Sequence, residues 1–152
     1  MALKPKQKRR KNNKELEHEL AIRLKEWQAV EDDAIRMSRQ VQSRTGNPLV
    51  KLVMEIIAHD SAMHRHVQQF IVDSIEKTPI SLRPEEVEEI WDIVEKHLAV
   101  EKSAIGMAEE LKGSTRLFVQ RYLLNYLLED ERKHDTLLER LEEIKMKIYP
   151  YA

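Results

Sequence analysis

The chain has 152 residues, a length that suits one domain with a real core. It contains only three glycines and five prolines with 35% charged residues, which indicates an all-helical protein, and it has no cysteine, which excludes disulfides, iron–sulfur clusters and thiolate zinc sites. The formal net charge of −1 predicts no overall attraction to nucleic acid or to an anionic membrane.

Residues 1–14 form a basic tail without apolar periodicity. Its cations are Lys4, Lys6, Lys8, Arg9, Arg10, Lys11 and Lys14. We expect a disordered, solubilising extension, and a tether for nucleic acid or another acidic partner is the alternative. No apolar segment of the length of a secretory signal or a transmembrane helix follows it, so the sequence predicts a cytoplasmic protein outside the membrane.

Two long helices are predicted next, at about residues 14–44 and 48–77. Each has an apolar stripe at helical spacing, and an ionisable residue interrupts each stripe. Glu31 lies in the stripe of the first helix. His64 lies in that of the second, with Asp60 one turn before it. The short connection between the helices makes them antiparallel.

Two further helices are predicted at about residues 84–112 and 114–148. Glu101 lies on the inward face of the third helix, and Glu131 and His134 lie three residues apart in a leucine stripe of the fourth. Burying a carboxylate or an imidazole among leucines is costly unless a partner satisfies it. A metal ion satisfies both groups at once, whereas a Glu–His hydrogen bond in a helical core is the alternative.

Turn residues mark the ends of these helices. Gly46 is expected in the left-handed conformation after the first helix, and Asn47 is expected to cap the second. Pro84 suits the first position of the third helix. Gly113 and Ser114 are expected to stop the third helix and to cap the fourth.

The second half of the chain repeats the first at an offset of 70 residues. The repeat is clearest in residues 27–31, WQAVE, and 97–101, HLAVE. It also places His64 over His134. The sequence therefore predicts two helical hairpins packed face to face as an antiparallel four-helix bundle over residues 15–148, with the inward acids and histidines at one level.

One Glu from each of two helices and a Glu-x-x-His pair from each of the other two form the two-metal centre of ferritin-like carboxylate proteins. The chain resembles this family, and the rubrerythrin-like group in particular, over about residues 15–147. The matching residues are Glu31, Glu101, Glu131 and His134. The second Glu-x-x-His is incomplete because Ser61 occupies its first position, and Asp60 is the candidate substitute.

The resemblance implies an iron centre of two ions, or one, with manganese and zinc as alternatives. It also implies ferrous oxidation, or the reduction of O₂ or peroxide. A peroxidase without a cysteine-rich rubredoxin-like module would need an external electron donor. The candidate metal ligands are Glu31, Asp60, His64, Glu101, Glu131 and His134. The candidates for groups around these ligands are His97, Tyr126 and Asp130. No catalytic residue is assigned.

The connection between the second and third helices leaves the topology open. Residues 78–83 extend at most ~20 Å, too short for the ferritin-like crossover along a ~40 Å bundle. Three topologies are possible: the helix ends unwind to lengthen the connection, the chain runs simply up-down-up-down, or two chains exchange hairpins. A homodimer is expected. A different hypothesis is a non-catalytic helical scaffold with a buried polar layer and a basic tail that binds a partner.

Overall fold

The computed structural model describes residues 12–80 and 83–148. They form four α-helices without a strand among them, and the helices are Asn13–Arg44 (α1), Pro48–Glu76 (α2), Pro84–Ser114 (α3) and Phe118–Ile148 (α4). The prediction of an all-helical chain with four helices is confirmed. No helix within the described ranges is both long and apolar enough to cross a bilayer.

The predicted basic tail lies mostly outside the described residues, which begin at Asn12. Asn13 and Lys14 belong to α1 rather than to the tail. The side chain of Asn12 caps this helix by accepting a hydrogen bond from the backbone N–H of Glu15, whose own carboxylate accepts one from the N–H of Asn12. This reciprocal capping box fixes the start of α1.

Helices α1 and α2 form the first hairpin. It belongs to the first of two compact units along the chain, and this unit ends at Ile80. Lys25 contacts Glu76 at 2.7 Å, whereas Gln42 donates to the carbonyl of Lys51 at 3.4 Å. Residue numbers fall along one helix as they rise along the other. The two helices therefore run in opposite directions, as the short connection predicts.

Helices α3 and α4 form the second hairpin. Near the turn, Arg132 is paired with Glu109 at 2.7 Å. At the end away from the turn, a hydrophobic cluster holds the helices together. Its members are Val87, Trp91, Val94, Leu138 and Leu141. These contacts again pair early residues of one helix with late residues of the other, so α3 and α4 are also antiparallel.

Both turns depend on a threonine in extended conformation. Thr45 (φ −114°, ψ 142°) ends α1 and Thr115 (φ −106°, ψ 143°) ends α3. Each hydroxyl accepts the backbone N–H two residues later, from Asn47 at 3.1 Å and from Leu117 at 3.4 Å. The two turns lie 70 residues apart, so the sequence repeat extends to the backbone of the connections.

Two expectations for these turns are wrong. No described glycine has a positive φ, so Gly46 is not in the left-handed conformation, because the extended Thr45 already turns the chain. The fourth helix begins at Phe118 rather than at Ser114, which is the last residue of α3 and donates its hydroxyl to the carbonyl of Leu111. Asn47 does cap α2, by accepting from two backbone N–H groups at 2.9 and 3.2 Å.

The inner seam of the first hairpin is polar along much of its length. Its buried polar residues are Glu31, Ser38, Ser61 and Gln68, and its buried apolar residues are Ala21, Leu24 and Val72. At the positions of Ser38 and Gln68 the repeat has Ala108 and Leu138 in the second hairpin. The first hairpin therefore gains less from apolar burial than the second at matching positions.

Candidate metal centre

Three candidate ligands meet in the middle of the second hairpin, and we call them the Glu101 triad: Glu101, Glu131 and His134. Each offers one ligand atom, and these atoms lie within 4.8 Å of one another. Nδ1 of His134 is 3.4 Å from Oε2 of Glu131 and 3.6 Å from Oε2 of Glu101. Glu101 is only 7% exposed, whereas the other two side chains are partly open to solvent.

Helix geometry explains how the triad assembles. Glu131 and His134 are three residues apart on α4, so their side chains emerge on the same face one turn apart. Glu101 comes from the inward face of α3, where Trp91 and Val94 place that face against α4 through the hydrophobic cluster. The apolar contacts at the end of the hairpin thus fix the register of the polar group in its middle.

The two carboxyl groups of the triad share a hydrogen bond, and their pKa values move in opposite directions. The hydrogen bond to Glu101, together with burial and the negative charge of Glu101, raises the pKa of Glu131. Burial alone would raise the pKa of Glu101, but hydrogen bonds from Glu131 and His97 and the charges of both histidines outweigh it and lower that pKa. The pair therefore takes up a proton more readily at Glu131 than at Glu101.

Two of the predicted surrounding groups contact the triad. Nε2 of His97 is 2.6 Å from Oε1 of Glu101, one helical turn away on α3. Oδ2 of Asp130 is 3.7 Å from Nε2 of His134, and Asp130 also forms an ion pair with Lys133. His134 thus has carboxylates near both ring nitrogens. Tyr126 is half-buried on α4, five residues before Glu131.

The first hairpin brings together a smaller set of candidate ligands. Nδ1 of His64 is 3.4 Å from Oε1 of Glu31, which is buried. The imidazole of His64 itself is 60% exposed. Asp60 lies 3.7 Å from Nδ1 of His59, so its described ion pair is with that histidine. The convergence of all six candidate ligands on one centre stays a prediction.

Ser61 and Trp27 distinguish the first hairpin from the second. Ser61 is buried at the repeat position of Glu131, so the residue three positions before His64 provides no carboxylate. Trp27 is exposed at the repeat position of His97. The described residues of the first hairpin thus retain a Glu–His pair where the second hairpin has two acids and two histidines.

Carboxylate oxygens and imidazole nitrogens are ligands that Fe²⁺, Mn²⁺ and Zn²⁺ accept. Around a four-coordinate ion with bonds of about 2.0–2.1 Å, neighbouring ligand atoms are about 3.3 Å apart. The separations of 3.4 and 3.6 Å between His134 and the two glutamates are close to that spacing. The donor types of the triad and the two distances from His134 are therefore compatible with a metal ion.

No family model, no curated protein and no solved structure matches this chain. The resemblance to ferritin-like proteins consequently stays a prediction that rests on the residue pattern.

Proposed function

We propose that this protein binds a divalent transition metal ion through Glu101, Glu131 and His134. The observation that carries the proposal is the mutual proximity of their three ligand atoms, within 4.8 Å. Two carboxyl groups this close repel each other unless a proton or a cation lies between them. A metal ion neutralises both groups and also accepts the lone pair of His134.

The ferritin-like form of this proposal makes iron the metal and adds Glu31 and His64 as ligands of a second ion. The contact between Glu31 and His64 supports this form of the proposal, because the residues at the repeat positions, Glu101 and His134, also contact each other. Iron held there would supply ferrous oxidation or the reduction of O₂ or peroxide, the latter with an external electron donor. A homodimer, and nucleic acid at the basic tail, belong to the same set of proposals.

Metal content is the direct test. We expect bound metal after dialysis of the purified protein, and further binding after anaerobic loading with ferrous iron. Glu101→Ala and His134→Ala should each weaken metal binding at least about tenfold, since each removes a ligand. His66→Ala is the matched control, because His66 lies on α2 outside both candidate sites. Equal metal affinity in all three variants would contradict the proposal.

A scaffold without metal is the second candidate, and the polar inner seam of the first hairpin favours it. Buried polar groups at fixed positions can specify how helices pair, at some cost in stability. Oε1 of Gln68 is buried without a hydrogen-bond partner in the described part of the chain, so that cost is present. Under this hypothesis the protein contains no metal, and added Fe²⁺ or Zn²⁺ leaves its melting temperature unchanged.

A further inference from the structure

We propose that the second hairpin completes a single-metal site of four ligands by itself, with His97 as the fourth ligand beside Glu101, Glu131 and His134. This inference rests on the proposed function, because it adds a ligand to the same site and fixes the number of ions there at one. It also implies that the first hairpin contributes nothing to this ion.

The argument begins with the spacing of the four residues. His97 and Glu101 are four residues apart on α3, and Glu131 and His134 are three apart on α4. Side chains at either spacing lie on one helix face and can hold the same ion, as the two histidines of an H-E-x-x-H helix do. Each helix of the hairpin thus offers one chelating pair, and the two pairs face each other.

The distances agree with a common centre. Glu101 joins the two pairs, since Nε2 of His97 is 2.6 Å from its Oε1 and Nδ1 of His134 is 3.6 Å from its Oε2. The short contact of His97 with Glu101 has the length of a direct hydrogen bond. Ligation would require the imidazole to withdraw by about 0.7 Å, to the separation of ligand atoms around a four-coordinate ion. The ring is 56% exposed and has room for that movement.

The first hairpin shows what the repeat looks like without these pairs. Trp27 replaces His97, and Ser61 replaces Glu131, so each helix has lost one member of its pair. Glu31 and His64 remain, but they come from different helices, and neither has its repeat-matched chelating neighbour. If the two chelating pairs of the second hairpin hold one ion together, a hairpin that does not bind this ion is expected to lack a member of both pairs, as the first hairpin does.

The composition of the site indicates which ions it prefers. Two imidazoles and two carboxylates in four-coordinate geometry suit Zn²⁺ and Co²⁺. Mg²⁺ and Mn²⁺ favour six ligand atoms that are mostly oxygens, and they are expected to bind more weakly. The inference therefore predicts one tightly bound Co²⁺ or Zn²⁺ per chain.

The experiment is a Co²⁺ titration of the full chain, followed by its visible absorption. We expect one Co²⁺ per chain with the intense d–d bands of four-coordinate geometry. His97→Gln keeps a hydrogen-bond donor for Glu101 but is a poor metal ligand, so it should weaken Co²⁺ binding at least about tenfold and weaken the bands. His97→Cys should retain binding and add a thiolate-to-cobalt charge-transfer band, which appears only if residue 97 coordinates the ion.

Further outcomes separate the competing explanations. If His97→Gln binds Co²⁺ as tightly as the unaltered chain with the same spectrum, His97 only positions Glu101 and the inference is wrong. His64→Ala is the matched control in the first hairpin, and it should leave affinity and spectrum unchanged. If it weakens binding as much as His97→Gln does, the two hairpins share the metal. Failure of the unaltered chain to bind Co²⁺, Zn²⁺ or Fe²⁺ would instead overturn the proposed function itself.

Discussion

Glu101 and Glu131 share one hydrogen bond, so a proton and a metal ion compete for the same oxygens. Glu131→Gln keeps a hydrogen-bond donor towards Glu101 and removes the titration. Since the pKa of Glu131 is raised, its protonated form contributes stability at low pH, and this contribution is lost as the pH rises through that pKa. At pH 8 without metal, we expect the variant to have a free energy of unfolding about 1 kcal/mol higher.

Urea denaturation with a chelator present measures this difference, which should become small at pH 4, where the Glu131 carboxyl is mostly protonated in both the folded and the unfolded chain. Glu139→Gln, at an exposed position on the same helix, is the control and should change stability by less than about 0.5 kcal/mol. The same Glu131→Gln variant should bind metal less tightly. A loss of apoprotein stability at pH 8 would show that the two carboxyl groups do not oppose each other.

Proton release on metal binding provides a second test of this pair. A metal ion must displace the proton of Glu131, whose raised pKa keeps it bound at higher pH than an ordinary glutamate would. Metal affinity should therefore rise with pH, and at about pH 5 Glu131→Gln should release fewer protons per ion than the unaltered chain. Calorimetry in two buffers with different ionisation enthalpies measures the number. Equal proton release in both proteins would contradict the assignment.

Ser61 is the residue at which the first hairpin departs most clearly from the second. Ser61→Glu restores a Glu-x-x-His pair with His64 and should raise the metal stoichiometry by one ion per chain. Without metal, the larger side chain at a buried position should lower the free energy of unfolding by about 1–3 kcal/mol. Ser61→Gln has the same size without the charge, so it should share the loss of stability but bind no further ion.

Sequence spacing predicted which residues form the candidate site better than it predicted which side chains each of them contacts. Glu101, Glu131 and His134 come together because the helix period determines which residues share a face. The ion pair of Asp60 with His59 was not predicted, because the choice between an adjacent residue and His64, one turn away, depends on side-chain rotamers. His97 was predicted as a group near the ligands, and its contact with Glu101 agrees with that position. The ligand roles themselves stay predictions.

At the scale of the helices, prolines and apolar stripes predicted the four helices well. Pro48 and Pro84 are the first residues of α2 and α3, as expected from their fixed φ. The turns were predicted less well, because glycine was given the role that Thr45 and Thr115 have. An extended threonine whose hydroxyl accepts a nearby N–H can end a helix without a left-handed residue.

Asn47 provides a test of the first turn. Its side chain accepts hydrogen bonds from the N–H groups of Leu49 and Val50, which otherwise lack intrahelical partners. Asn47→Ala should therefore lower the free energy of unfolding by about 1 kcal/mol. Asn13→Ala removes the same amide from the first turn of α1, leaves the cap at Asn12 in place, and should change stability by less than about 0.5 kcal/mol. Equal losses would mean that the cap of α2 contributes nothing.

At the scale of the whole molecule, the 70-residue repeat predicted two similar halves, and the chain does divide into two hairpins at Ile80. Each hairpin follows from its own short turn and its own inward stripes. The packing of the two hairpins into one bundle stays a prediction. A stripe's period shows which face of a helix is apolar, but it does not determine which other face will cover it.

The positive charge of the chain is concentrated in its first residues, and a role of this basic segment in binding nucleic acid can be tested. The segment 1–11 has six cations and no acid, so its deletion changes the formal net charge from −1 to −7. We expect the full chain to bind duplex DNA at low salt, with a slope of log K against log salt no steeper than about −5, and the shortened chain not to bind. Metal binding should be unchanged, since all candidate ligands lie outside the deleted segment. Equal DNA binding by both chains would exclude a tethering role for the tail.

The side chains at the candidate site differ in their exposure to solvent, and this difference affects how quickly a bound metal would leave. Glu101 is buried, whereas the imidazoles of His97 and His134 reach solvent. An incoming chelator can take over a coordination position from the imidazole side while the carboxylate still holds the ion. Exchange then requires no opening of the hairpin. A metal bound this way would be kinetically labile even at high equilibrium affinity.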